Sequence, residues 1–143
     1  MVQQLPHAHG LPLPSYATSE SAGMDIHAAT GGKITLLPGE RKLIPSGICI
    51  AIPAGHEGQV RARSGLALKQ GLGMVNAPGT IDSDYRGEIG VILINWSDVP
   101  QTICHGDRIA QLVISPVVRA EMAEVMTLDE TERGNGGFGH TGK

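Results

Sequence analysis

The chain has 143 residues, with 11 Lys and Arg set against 14 Asp and Glu, a formal net charge of -3. That length suits one domain with a core of its own, and the mild acidity without a basic tract argues against long nucleic acid while leaving a small phosphorylated ligand open. No apolar run has the length of a membrane span, and the N-terminus lacks a signal peptide's charged-then-apolar order, so a cytoplasmic protein without membrane contact is expected. Cys49 and Cys104 sit in apolar stretches with no metal-ligand spacing. Two reduced, buried thiols are the default, with a disulfide left open. One Phe, one Trp and two Tyr leave the core to aliphatic residues, so each ring needs its own account.

In chain order, the first twenty residues, with Pro6, Pro12 and Pro14, read as an extended lead-in. SAGMDIHA alternates as a strand does. KITLL follows and is closed by the Pro-Gly pair at 38–39. RKLIPSGICIAIP is a broken extended run ending at the turn AGHEG, after which come QVRAR, GMVNAP, EIGVILIN, QTICHGDRIAQLVISPVV and AEMAEV. Turn signals recur about every ten residues, the spacing of an all-β sandwich or barrel. EIGVILINW has consecutive apolar residues, which predicts cover on both faces. SGLALKQG predicts the one helix, barely two turns, with Ser64 as N-cap, Gly71 just past its end, and Leu66, Leu68 and Leu72 as apolar positions.

Two stretches have the composition of a site. In ARSGLALK, Arg63 precedes a hydroxyl at a helix start, where free N–H groups and a guanidinium suit an anion. Taken alone, a capping Ser64 and a solvated Arg63 explain it equally well. In VNAPGTIDSDYRGEIG, two strand-like runs flank a turn, which predicts a hairpin presenting Asn76, Asp82, Asp84 and Tyr85. Asn suits the edge of a base, and a carboxylate such as Asp82 suits a general base toward water. Any one of these residues is more often a turn residue satisfying local backbone. Four around one turn, with a rationed Tyr, favour a site.

The remaining candidates are weaker. Asp25 and His27 have no third ligand at useful spacing, so Asp25 at most holds the water shell of a Mg²⁺ riding on a phosphorylated ligand, and His27 is structural. Asp107 and Arg108 predict an ion pair, and Gln111 is a polar residue in an apolar strand, by default a satisfied amide. The tail ERGNGGFGHTGK holds the only Phe, Phe138. GFGHTGK matches the opening of a phosphate-loop pattern, but the pattern needs a preceding strand, a Ser or Thr after the Lys and a following helix, and the sequence stops at Lys143. What survives is that glycines let backbone amides approach phosphate oxygens, with Arg133 supplying charge.

Together and in this order, SAGMDIHA, ARSGLALK, VNAPGTIDSDYRGEIG, GDRIAQLVI and RGNGGFGHTGK resemble the five motifs of the homotrimeric dUTPases, from about Ala22 to the end of the chain. The resemblance implies an all-β, distorted jelly-roll or β-clip-like fold with one short helix, a core over 1–131 and a flexible Gly-rich lid over 132–143. It implies a threefold trimer with sites shared between subunits, and Mg²⁺-dependent hydrolysis of dUTP to dUMP and pyrophosphate, which keeps uracil out of DNA and supplies dUMP. By similarity Asp82 activates water toward the α-phosphorus. Asn76, Thr80, Ile81, Asp82 and Gly90 surround uracil, and Tyr85 packs under the deoxyribose against a 2′-OH. Arg63, Ser64, Gly65 and Gln111 meet the phosphates, and Asp25 holds metal-bound waters. Phe138 of a neighbouring subunit's tail stacks on the base, with Arg133 and Thr141 toward the γ-phosphate and Gly139 among the substrate-binding residues. The family usually has Ser where His140 stands; a phosphate contact from His140 is a hypothesis of this sequence alone. Two rivals remain: a dCTP deaminase-like enzyme of the same fold, and a non-catalytic nucleotide-binding β-trimer.

Overall fold

A computed structural model describes residues 1–137. The architecture is all-β, as expected. Among the described residues ten strands run in chain order: β1 (Val2–Gln4), β2 (Met24–His27), β3 (Ile34–Leu36), β4 (Arg41–Ile50), β5 (His56–Arg61), β6 (Leu72–Met74), β7 (Gly79–Ile81), β8 (Glu88–Asn95), β9 (Gln101–Ile103) and β10 (Arg108–Pro116). In the same residues a single 3-10 turn spans Pro6–Ala8, and the one α-helix, α1, spans Ser64–Gln70. One sheet has the order β1-β4-β8-β6, a second β2-β10-β5-β7, and β3 pairs with β9. Every one of these strand pairs is antiparallel.

The two large sheets close over one aliphatic core. Ile44 and Ile48 of β4, Val60 of β5, Ile89, Val91 and Leu93 of β8, and Ile109 and Leu112 of β10 belong to a single buried cluster. Each such side chain contributes about 1.5–3 kcal/mol by leaving water, so β8 with its three anchors the first sheet. Neither Trp96 nor Tyr85 joins this cluster, in keeping with an aliphatic core.

Several local expectations need correction. β8 alternates strictly between buried and half-buried residues, so it is covered fully on one face only. GMVNAP and EIGVILIN do pair, through Gly73↔Ile94 and Met74↔Leu93, but they do not form a simple hairpin. The chain between them leaves the first sheet and adds β7 to β5 in the second, through Gly58↔Ile81 and Val60↔Gly79. That detour bridges the two sheets. The extended run that opens at Arg41 is one strand, β4, with an irregularity between Pro45 and Cys49. Arg63, not Ser64, is the N-cap of α1 and provides no side-chain cap, whereas Gly71 closes the helix at φ 64° as predicted. Leu66 packs on the core and Leu72 is buried, but Leu68 is 87% exposed. Two turns are too short to bury all three positions on one face.

AEMAEV forms no strand. β10 ends at Pro116, Val117 N–H donates to the Gly55 carbonyl, and the chain beyond is exposed through Asn135. A strand needs a ladder partner, and this chain supplies none there among the described residues. Val118, Met122, Val125, Met126 and Leu128 consequently stand in solvent. The lead-in, by contrast, is tied down: β1 pairs with the end of β4 through Val2↔Ile50. Cys49 and Cys104 are both free and half-buried.

Candidate active site

The detour between β6 and β8 builds a pocket of about 530 Å³. Asn76, Thr80, Ile81, Asp82, Tyr85 and Gly90 line it, with Leu43, Pro45, Val60, Met74, Glu88 and Ile92 supplying most of the rest of its wall. Six residues proposed from sequence thus meet in one place. The turn carrying them is held by other groups. Tyr85 N–H donates to the Asp82 carbonyl at 3.1 Å, and Arg86 Nη1 donates to the Ser83 and Tyr85 carbonyls at 2.8 and 2.7 Å. The Asp82 side chain is therefore left exposed at the pocket rather than spent on the turn.

Tyr85 is fixed at both ends. Its hydroxyl donates to the Glu88 carbonyl at 3.0 Å, and its ring lies so close over Gly87 that a Cβ there would collide with it. Gly79 is similarly confined: a Cβ would come within 3.2 Å of Asn76 Nδ2. Both glycines let a side chain approach the backbone.

A second constellation gathers around Asp25. Arg63 Nε lies 2.9 Å from Asp25 Oδ1, and Arg108 Nη1 lies 3.2 Å from Asp25 Oδ2. Arg63 Nη1 also donates to the Arg108 carbonyl at 3.0 Å. Two guanidinium groups thus share one carboxylate, and the cluster keeps a net positive charge. Gln111 faces Asp25 and Arg61 across the ladder and donates Nε2 to the Ala62 carbonyl at 3.0 Å. A Cβ on Gly23 would run to 2.5 Å from Gln111 Oε1, so SAG provides the space this amide occupies. The predicted Asp107–Arg108 pair does not form. Asp107 instead accepts the Cys104 N–H at 2.7 Å within its turn, and Arg108 reaches across to Asp25. Burial pushes the His27 pKa below its usual value; Asp25 opposes this, and Arg108 and Arg63 add to it.

Among the described residues no group of three His, Cys, Asp or Glu is placed to hold a metal. Asp25 is a lone carboxylate with both oxygens engaged, a donor set that suits contact through water and not direct ligation.

The pattern of residues has relatives. The dUTPase family model matches residues 10–142. This chain belongs to the dUTPase family. The deoxyuridine 5'-triphosphate nucleotidohydrolase of Anaeromyxobacter sp. is 61% identical over 133 residues, which cover 93% of this chain and 89% of that protein. The Methylocella silvestris enzyme of the same name is 57% identical over 143 residues, 99% of this chain and 89% of its own. The dUTPase of Staphylococcus bacteriophage 80alpha, solved with dUPNHPP, superposes with a TM-score of 0.89 at 28% identity, covering 100% of this chain and 98% of that one. A mutant dUTPase of phage phi11 of S. aureus, solved to show the coordination of a structural Mg(II) ion, gives 0.79 at 26% identity over 91% of this chain and 98% of that one. The fold is the jelly-roll-like one of these dUTPases, and the activity is hydrolysis of dUTP.

Within this dUTPase chain the predicted residues fall into separate groups. Asn76, Thr80, Ile81, Asp82, Tyr85 and Gly90 share the pocket; Arg63, Gln111 and Asp25 do not line it. Ser64 and Gly65 open α1 beside Arg63. Arg133 lies in an exposed turn, donating Nε to the Gly136 carbonyl at 2.9 Å. Phe138, Gly139, His140 and Thr141 lie outside the described residues. Sequence reasoning missed Gly87 and Glu88, and gave Arg108 the wrong partner. Only Gly87 left a signal, as the one glycine inside DSDYRGE; the other two find their partners 41 and 83 positions away.

Proposed function

We propose that this dUTPase works by in-line attack of an Asp82-activated water on the α-phosphorus. The water oxygen bonds phosphorus, its proton passes to the Asp82 carboxylate, and the α–β phosphoanhydride bond breaks to release pyrophosphate and leave dUMP. Asn76 and the Thr80–Asp82 backbone read uracil with Gly90 opposite, where a side chain would intrude. Tyr85 packs on the deoxyribose and leaves no room for a 2′-OH. Arg63, Ser64, Gly65 and Gln111 receive the phosphates. Asp25 would hold the water shell of a Mg²⁺ carried on the triphosphate, which would supply charge neutralisation there.

The observation that carries this reading is the pocket itself, which collects a base reader, an exposed carboxylate and an aromatic ring on one detour between sheets. The positive cluster around Arg63 and Asp25 lies outside that pocket, which supports a site completed by another copy. The row of exposed apolar residues from Val117 to Leu128 supports a homotrimer, since such a segment gains stability only by covering a neighbour. The tail, 132–143, acts as a lid: Phe138 stacks on the base for about 1–3 kcal/mol, which offsets part of the cost of ordering it, and Arg133, Gly139, His140 and Thr141 approach the γ-phosphate. Two free thiols suit a reducing cytoplasm.

Asp82→Asn tests the mechanism. Turnover of dUTP with Mg²⁺ should fall at least about 100-fold while a non-hydrolysable dUTP analogue still binds. Near-parental kcat in the D82N enzyme would remove Asp82 from the reaction. Pyrophosphate from dUTP, and no ammonia from dCTP, separates this reading from a deaminase.

A further inference from the structure

The wall behind Tyr85 is tied to the N-terminal lead-in. Between Pro45 and Cys49 the β4–β8 ladder shifts register: Pro45 pairs with Gly90, but Glu88 pairs with Cys49. Four steps along β4 therefore match only two along β8. Such an irregularity leaves backbone groups without ladder partners. Gly47 is at its centre, with φ 66° and no room for a Cβ against Ala8. Its N–H is taken by the Glu88 carboxylate, Oε1 at 2.7 Å, and its carbonyl accepts the Leu5 N–H at 2.8 Å. The same Glu88 Oε1 lies 2.9 Å from His7 Nε2 on the 3-10 turn. The Glu88 main-chain carbonyl, in turn, receives the Tyr85 hydroxyl.

One residue thus joins three things: the irregular strand, the lead-in and the aromatic ring. We propose that Glu88, braced by His7, is a positioning residue for Tyr85 and so sets discrimination between deoxyribo- and ribonucleotides. The inference rests on the reading of Tyr85 as the sugar-facing ring. Glu88 does its work by supplying the acceptor that the ladder lacks at Gly47, which holds the start of β8, and its carbonyl, in one place. Without that carboxylate the N–H of the buried Gly47 is a donor without a partner and the first residues of β8 lose their anchor. The ring can then swing away from Gly87 and admit a 2′-OH. His7 has a smaller share, as an exposed partner of the same oxygen.

The test is the ratio of kcat/KM for dUTP to that for UTP, measured on the full chain with Mg²⁺. Glu88→Ala should lower the ratio about tenfold and His7→Ala about two- to fivefold, chiefly through improved use of UTP. Glu88→Gln, which keeps an acceptor for Gly47 N–H, should recover most of the loss. The double variant should be no worse than Glu88→Ala alone, because both act through one oxygen. Should Glu88→Ala fail to fold, His7→Ala and Glu88→Gln carry the comparison, since neither removes the acceptor. Tyr85→Ala serves as the control. If it erodes the ratio while Glu88→Ala and His7→Ala leave it unchanged, the positioning role is refuted and the sugar contact stands. If Tyr85→Ala leaves the ratio untouched, the sugar reading itself has failed.

Discussion

Gly87→Ala isolates the packing of Tyr85 from every other feature of the pocket. An ideal Cβ on Gly87 lies 2.6 Å from Tyr85 Cζ and 3.1 Å from Cε2, and closer still to the phenolic oxygen, where ordinary contact begins near 3.4 Å. Gly87 does not have left-handed φ, so alanine fits the backbone and the collision is with the ring alone. The ring must retreat by about 1 Å, which takes the hydroxyl out of reach of the Glu88 carbonyl it now meets at 3.0 Å. The lost bond is worth about 1 kcal/mol. Expressed at the sugar, that is about a fivefold loss of preference for dUTP over UTP. Tyr85 is 43% exposed, so little buried area goes with it and thermal stability should move by only a few degrees. Steady-state kinetics on both nucleotides, paired with a melting curve, reads the two effects separately. Parental discrimination in the Gly87→Ala enzyme would mean that the ring over Gly87 does not face the sugar.

Other expectations follow from the same geometry. Removing residues 133–143 should cripple kcat/KM for dUTP while leaving the melting temperature close to parental, because the core cluster ends well before them; unchanged kcat/KM would dispose of the lid. Asn95→Ala should cost about 3 kcal/mol in urea unfolding, since this fully buried amide donates to the Leu36 and Val99 carbonyls and accepts from the Ser97 N–H and hydroxyl. A shift in the urea midpoint worth under about 1 kcal/mol would show that water replaces those bonds. For His27 the folded pKa lies below 6.5, so below that pH the unfolded chain binds more protons than the folded one. Its contribution is complete above pH 6.5 and is lost as pH falls through the folded value. His27→Gln should flatten the decline of the urea midpoint as pH drops below 6.5, and an unaltered slope would assign the decline to other groups.

Local chemistry is open to inspection in the amino-acid order. Pro38-Gly39 closes β3 with Gly39 at φ 76°, and Gly71 ends α1 at φ 64°, because only a residue without Cβ takes those angles cheaply. The short apolar runs between such punctuation announce an all-β chain, and DSDY announces a turn with more polar groups than a turn consumes. The helix start and the C-terminal strand depart from expectation for one reason: a cap and a ladder depend on which partner is present. Ser64 sits one residue inside the helix, and 120–125 meets no edge of its own chain among the described residues.

Long-range choices belong to the tertiary structure. Nothing in GDRIAQ indicates that Arg108 would pass over Asp107 for Asp25, 83 positions earlier. Nothing in RGEIG indicates that Glu88 would reach the Gly47 amide and His7. Such contacts arise where β10 lies beside β2 and where β4 runs irregularly past β8, so their energies depend on sheet order and register, quantities that spacing along the chain does not encode. Residue types thus announced the candidate groups, and packing decided which of them stand within reach of one another.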